Sequence, residues 1–486
     1  MKISSIFAIL TASAILAACD FLDEYNPNSV TVGNYYTSEE DIVASLNGVY
    51  TSLTQGYVAN NNHYFTDVRA NTTVVTSSGA NSGIPYQFYN YTLTEENVYV
   101  YNRYSQLYKI ISRANTLFAH LGDVSYAAPS ARDTYEAEAR FLRALSYYWL
   151  VTEWGDVPLV LKALESAEEV RANNYRRPKA EVYRAIFDDL KYVTESPLAD
   201  VQPASACGKV SKSAAWALWG KALLQQACDE DFVGSKSELL GQVIEKLTAA
   251  WNLRKFGELA SVPYSAIWDL STQKSCAENI FQINYIQGNA DLGSVWNYLY
   301  GPEGTGVTSQ KKGEMQNVTT QAVYDSFETG DVRRSFLRAT NMAGQTYYHT
   351  MKYADLECGA NGYGGNNWIV LRYADVALML AEAYYWSEEE TLAKTWLNKV
   401  RERAGLGDWF GSDLRQGIYD ERLHEFMQEG LRWQDLLRMY DRTEMLEHFS
   451  AINSNFSLKD LLLPIPYNER ILNPEGLYQN PGYGDN

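Results

Sequence analysis

Cysteine and histidine are scarce in this chain, with five of each in 486 residues. Cys19, Cys207, Cys228, Cys276 and Cys358 include no CxxC pair, which argues against a thiolate metal site. His63, His120, His349, His424 and His448 form no HExxH pattern and no i, i+4 pair, which argues against a zinc hydrolase. No GxSxG elbow occurs, and the glycine-rich stretch 359–365 (GANGYGG) lacks the lysine of a phosphate-binding loop. That stretch reads as a turn. No cofactor is expected, although a structural calcium ion stays open, because loop oxygen ligands leave little trace in a sequence. Positive charge is in deficit as well: 41 Lys and Arg face 59 Asp and Glu, a net charge of −18, which argues against nucleic acid as a partner. Long apolar runs are also missing. The run over 6–18 falls short of the ~20 residues a bilayer requires, and no later segment is apolar enough.

What is present is an ordinary globular mixture, 46% hydrophobic and 21% charged, so the chain folds. Its rings are weighted toward tyrosine, 37 Tyr against 16 Phe and 12 Trp. Tyrosine joins a polar tip to an apolar ring and suits a wet binding face. The N-terminus, MKISSIFAILTASAILAAC, has one basic residue at Lys2, an apolar stretch and small residues before Cys19, the features of a secretory signal. Leu16-Ala17-Ala18-Cys19 matches the bacterial lipoprotein box. The expectation is therefore a signal peptide over 1–18, acyl chains on Cys19 and an acidic tether over 19–30. More than one acyl chain anchors stably, since each buried CH₂ contributes ~0.8 kcal/mol.

Residues 31–486 read as one mainly α-helical body. Over 134–154, Ala137, Phe141, Leu145, Tyr148 and Val151 recur at helical spacing, alanines at 137, 139 and 144 permit a close neighbour, and Gly155 with Pro158 ends the helix. Residues 180–193 repeat the pattern and complete a hairpin. Further pairs are expected from 211–228 with 238–251 and from 371–386 with 391–404, and a fourth from 41–53 with 101–121. Such pairs resemble tetratricopeptide units and cluster near 130–255 and 370–405. Between them, 57–99 and 256–367 are rich in Gly, Asn, Ser, Thr and aromatics and carry little periodicity. Long irregular segments inside a folded body are commonly functional. Within them 279–286 (NIFQINYI) is strand-like, but no large sheet is expected.

Several stretches, taken in order, resemble a single family: CDFLDEYNP after the lipobox; EARFLRALSYYWL followed by WGDVPLV; the alanine-rich 211–224; LRYADVALMLAEAYYW followed by LNKVRERAGL; YDERLHEFMQEGLRWQDLLR; and LLPIPYNERILNPEGLYQNPGY. Together they resemble the SusD/RagB-like nutrient-uptake lipoproteins of the Bacteroidetes outer membrane, from the mature N-terminus almost to the C-terminus. The resemblance implies about four tetratricopeptide-like pairs, loop-rich ligand-binding insertions and a C-terminal region over 406–486. It also implies a role as an extracellular lid over a SusC-like TonB-dependent transporter, capturing oligosaccharides, or oligopeptides in the RagB branch, without catalysis. One small departure follows the lipobox, where Phe21 and Leu22 stand between Asp20 and Asp23-Glu24 and bear on export to the surface.

Glu421, Glu425 and Glu429 stand at i, i+4 and i+8, and paired carboxylates perform glycoside hydrolysis. Arg422, Arg432, Arg438, Arg401 and Arg403 lie close by in sequence, so a salt-bridged scaffold is favoured over catalysis and an outer-membrane glycoside hydrolase is the weaker alternative. A structural helical adaptor without a small ligand is the third reading. For a glycan face the candidates are Tyr86, Phe88, Tyr89 and Tyr91, then Trp296, Tyr298 and Tyr300, with Arg69, Asn71 and Asn297 as polar partners. In an extended segment the alternate rings would share one side and stack on sugar C–H faces. For any single ring, however, core packing is the commoner use. Three rings each covering ~100 Å² at ~25 cal/mol/Å², less an association cost of ~4 kcal/mol or more, leave an affinity near millimolar.

Overall fold

The computed structural model describes residues 35–76, 83–302, 313–342, 344–358 and 361–484. The expected signal peptide, the lipidation site Cys19 and the tether lie outside the described residues. Eight helices build the body: α1 (Glu39–Ser52), α2 (Val98–His120), α3 (Ala131–Trp154), α4 (Lys179–Glu195), α5 (Lys212–Ala227), α6 (Lys236–Asn252), α7 (Tyr373–Trp386) and α8 (Glu390–Arg403). Each packs on the next, from α1 on α2 through to α7 on α8, the layout of stacked helix hairpins. All four expected pairs are present, including α1 with α2 despite the long insertion between them.

Local chemistry explains the boundaries. Ser38, Ser211 and Ser235 cap α1, α5 and α6 by accepting from the backbone N–H three residues on. Gly155 ends α3 at φ 75, a conformation open to glycine. Ala137, Ala139 and Ala144 are buried on α3, and a side chain at Gly220 would collide with Leu247, so α5 and α6 cross closely. The α3–α4 hairpin also carries a buried fork, Arg143 Nε and Nη2 donating to the two Asp189 carboxylate oxygens at 2.8 and 2.7 Å.

The irregular segments hold small ladders. β1 (Asn279–Ile283), the short form of the expected strand, pairs antiparallel with β4 (Trp368–Arg372), which runs straight into α7. β2 (Leu337–Met342) and β3 (Gln345–Thr350) form a hairpin in register Leu337↔Thr350. Single bridges Val74↔Val318 and Thr319↔Tyr348 tie residues 72–76 to that hairpin. After α8 come α9 (Leu414–Glu425), α10 (Arg432–Met439) and α11 (Arg442–Ile452). The C-terminal tail then returns to the end of α3, where Leu463 N–H donates to Glu153 O at 2.7 Å and Trp154 Nε1 to Pro464 O at 3.0 Å. No described helix is long and apolar enough to cross a membrane.

Candidate functional site

The acidic row is not an exposed catalytic pair. Glu421 and Glu425 lie on α9, but the helix ends at Glu425, so Glu429 does not continue its face; Gln428 at φ 61 and Gly430 at φ 76 turn the chain there. All three carboxylates are buried. Arg372 Nη1 lies 2.8 Å from Glu278 and 2.5 Å from Glu425, and its Nε lies 2.9 Å from Glu429. Arg333 reaches Asp331, Glu421 and Glu425, Arg403 pairs with Glu278 and Glu425, and Lys352 pairs with Glu429 at 2.7 Å. Burial pushes the Glu425 carboxyl up, but Arg403, Arg372 and Arg333 together hold it well below the usual range. A carboxylate surrounded by three guanidiniums is neither a free base nor a proton donor. The network bolts the loop-rich segments around 278, 331–333 and 352 to the end of β4, to α8 and to α9 with the turn that follows it. Among the described residues, no three His, Cys, Asp or Glu side chains gather so as to hold a metal ion. Cys207, Cys228 and Cys276 are free thiols.

The structure divides the predicted rings between core and surface, and the reason is their local period. Residues Tyr86–Tyr89 and Trp296–Leu299 are helical turns, not extended strands. Spacing of three or four, rather than two, therefore decides which rings share a side. Trp296 and Tyr300, four apart, both point inward and are fully buried. Trp296 packs 5.0 Å from Trp368 and 4.8 Å from Tyr285, and Tyr300 packs 5.7 Å from Tyr353. Asn297 is buried beside them, its Oδ1 accepting from Tyr298 N–H. Phe88 is buried against Phe65 at 4.9 Å. Tyr91 is buried on Phe449 and Phe456 and donates to Arg69 O at 2.9 Å. Arg69 is itself buried, its guanidinium 4.1 Å over the Trp433 ring and donating to Asp460 O. Asn71, at φ 54, is a turn residue. Trp296, Tyr300, Phe88, Tyr91, Arg69 and Asn297 are thus core residues and offer no solvent-facing platform.

Tyr86, Tyr89 and Tyr298 remain at the surface, each partly exposed. Tyr86 and Tyr89, three apart, sit with ring centroids 5.6 Å apart at 33°. Burial and then Tyr86 and Tyr347, the latter on β3, push the Tyr89 phenol above its ordinary value. Tyr298 is pushed up to about 12 by burial, with Glu314 and Tyr363 acting on it. Residues 313–319 run from Tyr298 to the β2–β3 hairpin that carries Tyr347: Glu314 N–H donates to Tyr298 O at 2.8 Å, Thr76 N–H donates to Met315 O at 3.2 Å, Val318 bridges to Val74, and Thr319 bridges to Tyr348. Tyr86, Tyr89, Tyr347, Tyr298 and Tyr363 of the loop-rich segments are all partly exposed. Tyr347 and Tyr363 were not among the sequence candidates. A signal for Tyr347 exists in the two-residue alternation of its hairpin strand, but Tyr363 is brought in only by tertiary contact.

Residues 305–483 match the SusD family, and residues 20–224 match a family described as starch-binding and associating with the outer membrane. This chain belongs to the SusD/RagB-like family. SusD-like protein P2 of Formosa agariphila is 28% identical over 524 residues, covering 99% of each chain. A solved laminarin-binding SusD-like protein is 26% identical with a TM-score of 0.76, over 92% of this chain and 100% of that one. Surface glycan-binding protein A of Bacteroides thetaiotaomicron, solved with laminarihexaose, has a TM-score of 0.77 over 91% and 99% of the two chains; at 20% identity this likeness speaks to the fold. As a SusD-like protein the chain is a binding protein without catalysis, in keeping with an acidic row locked among arginines.

Proposed function

We propose that this SusD-like protein is a lipid-anchored lid on the outer membrane, facing the exterior, that captures a glycan on its loop-rich face and delivers it to a SusC-like TonB-dependent transporter. The observation that carries the reading is the partial exposure of Tyr86, Tyr89, Tyr298, Tyr347 and Tyr363 in the loop-rich segments, with Tyr86 and Tyr89 side by side. Such rings stack on the C–H faces of sugars while their hydroxyls meet sugar hydroxyls. A face of exposed rings binds weakly, which suits a protein that must release its cargo. Membership of a family described as associating with the outer membrane supports the location, and the lipobox at Cys19 supports the anchor.

The test is affinity electrophoresis of the chain from Asp20 onward in gels containing laminarin, starch or other polysaccharides, with peptide digests as a parallel arm. Retardation by one glycan, lost in Tyr86→Ala/Tyr89→Ala at unchanged melting temperature, is the expected result. Binding of peptides alone would move the cargo to the RagB type. Absence of any binding would sink the glycan reading.

A further inference from the structure

A second groove is built from other elements. It lies between the middle of α2 and residues 158–174, encloses about 290 Å³, and is lined by Tyr104, Tyr108, Val160, Leu164, Val170 and Glu469 among others. The two phenols stand with ring centroids 4.8 Å apart. Tyr108 is committed, donating to Pro158 O at 2.8 Å. Tyr104 is only 3% exposed, and its hydroxyl makes no hydrogen bond of ordinary geometry among the described residues. Glu469 also faces the groove without a cation among the described residues: the adjacent Arg470 pairs with Glu95, and the lining Lys162 pairs with Glu169. Burial alone pushes the Glu469 carboxyl above its usual range, and its charge acts on both phenols. The Tyr104 hydroxyl has only the Tyr108 phenol beside it, so it and the Glu469 carboxylate keep hydrogen-bonding capacity to offer an occupant of the groove.

The lining selects among occupants. An ammonium group would satisfy Glu469 but, being a donor only, could not accept from the Tyr104 and Ser105 hydroxyls or the Asn174 amide that also line the groove. A purely apolar occupant would leave all of them unmet. A sugar hydroxyl both donates and accepts, and a pyranose has an apolar C–H face for the Val160, Leu164 and Val170 wall. The volume sits at the lower end of small-molecule pockets, ~300 Å³, so one ring or two fit and a polymer does not. We infer that this groove is a second saccharide site, separate from the tyrosine face, in which Glu469 and Tyr104 hold the hydroxyls of a single sugar unit. Such a site would recognise a chain end or a short product, where the open face engages a longer polymer.

The experiment is saturation-transfer NMR with glucose and maltose on the full-length chain, purified in a detergent without a sugar headgroup. Small-sugar binding is expected to persist in Tyr86→Ala/Tyr89→Ala, to weaken about tenfold in Glu469→Ala, in line with loss of a charged hydrogen bond, and to vanish in Val170→Trp, which fills the groove. Both groove variants should keep the wild-type melting temperature, since Glu469 has no partner to lose and Val170 is 48% exposed. Unchanged affinity in both groove variants would overturn the inference, as would loss of glucose and maltose binding in the Tyr86→Ala/Tyr89→Ala chain. Polysaccharide retardation of Glu469→Ala separates the two readings: its retention with loss of the small-sugar signal supports the groove and leaves the face intact.

Discussion

The helical body and the loop-rich region are held together by different physics. In the body, neighbours in space are neighbours in sequence: α5 meets α6 through Gly220 and Leu247, and most of its buried residues are alanine and leucine. In the loop-rich region the partners are remote. Trp296 packs on Trp368 and Tyr353, and Arg372 gathers Glu278, Glu425 and Glu429 from two segments far apart in sequence. The contrast teaches that periodicity reports the first kind of cohesion and is silent on the second. Backbone that lacks long helices must be pinned by buried rings and charges, which frees only the remaining rings for solvent.

The comparison breaks most sharply at Arg372. Arg372→Ala leaves three carboxylates facing one another without their shared cation, and the expected loss is ~5 kcal/mol, the upper end for breaking a buried ion pair. Urea unfolding would read it; a change below ~1 kcal/mol would show that the network does not bolt the region down. Trp296→Ala should cost ~3–5 kcal/mol as a large core deletion. If it instead left stability unchanged and abolished glycan retardation, the ring would be a ligand platform after all. Leu247→Ala, in the body, is expected to cost ~2–5 kcal/mol by the cavity it opens, so two unlike kinds of cohesion would be matched in size.

Smaller effects sharpen the contrast through pH. Burial holds His63 and His424 at about 3 and His349 at about 4. Folded values below the unfolded ~6.5 mean that the stability carried by these neutral rings is complete above ~6.5 and is lost as pH falls toward 4 and 3. Asp67 runs the other way: burial raises it to about 7, so its share is complete below ~3.9 and is lost as pH rises through 7. Urea midpoints from pH 4 to 8 should therefore fall on the acid side, less steeply in His424→Gln, and the neutral limb should flatten in Asp67→Asn. An unchanged acid limb in His424→Gln would remove that ring from the account. Smallest of all, Tyr86→Ala/Tyr89→Ala should alter stability by no more than ~1 kcal/mol while removing glycan retardation.

Much of the fold was legible because helix cohesion is local. The spacing of Ala137, Phe141, Leu145 and Tyr148 marks the buried side of α3, and the Arg-rich surroundings of Glu421 and Glu425 announced a scaffold. The site was legible only in part. The segments that carry it were picked out by composition, and Tyr86, Tyr89 and Tyr298 do reach the surface. The error lay in reading IPYQFYNYT and VWNYLYG with a period of two. Pro85 at the head of the first turn, and the four-residue spacing of Trp296 and Tyr300, were the available signs of helical turns.

By itself, then, the sequence determined the helix pairs, their caps and the family pattern, because those depend on residues a few positions apart. Which tyrosines remain in solvent, that Arg372 joins Arg403 in bridging Glu425 and Glu278, and that Glu469 and Tyr104 line one groove were decided only by tertiary structure. Exposure and ion pairing depend on how distant segments exclude water from one another, and no local spacing encodes that.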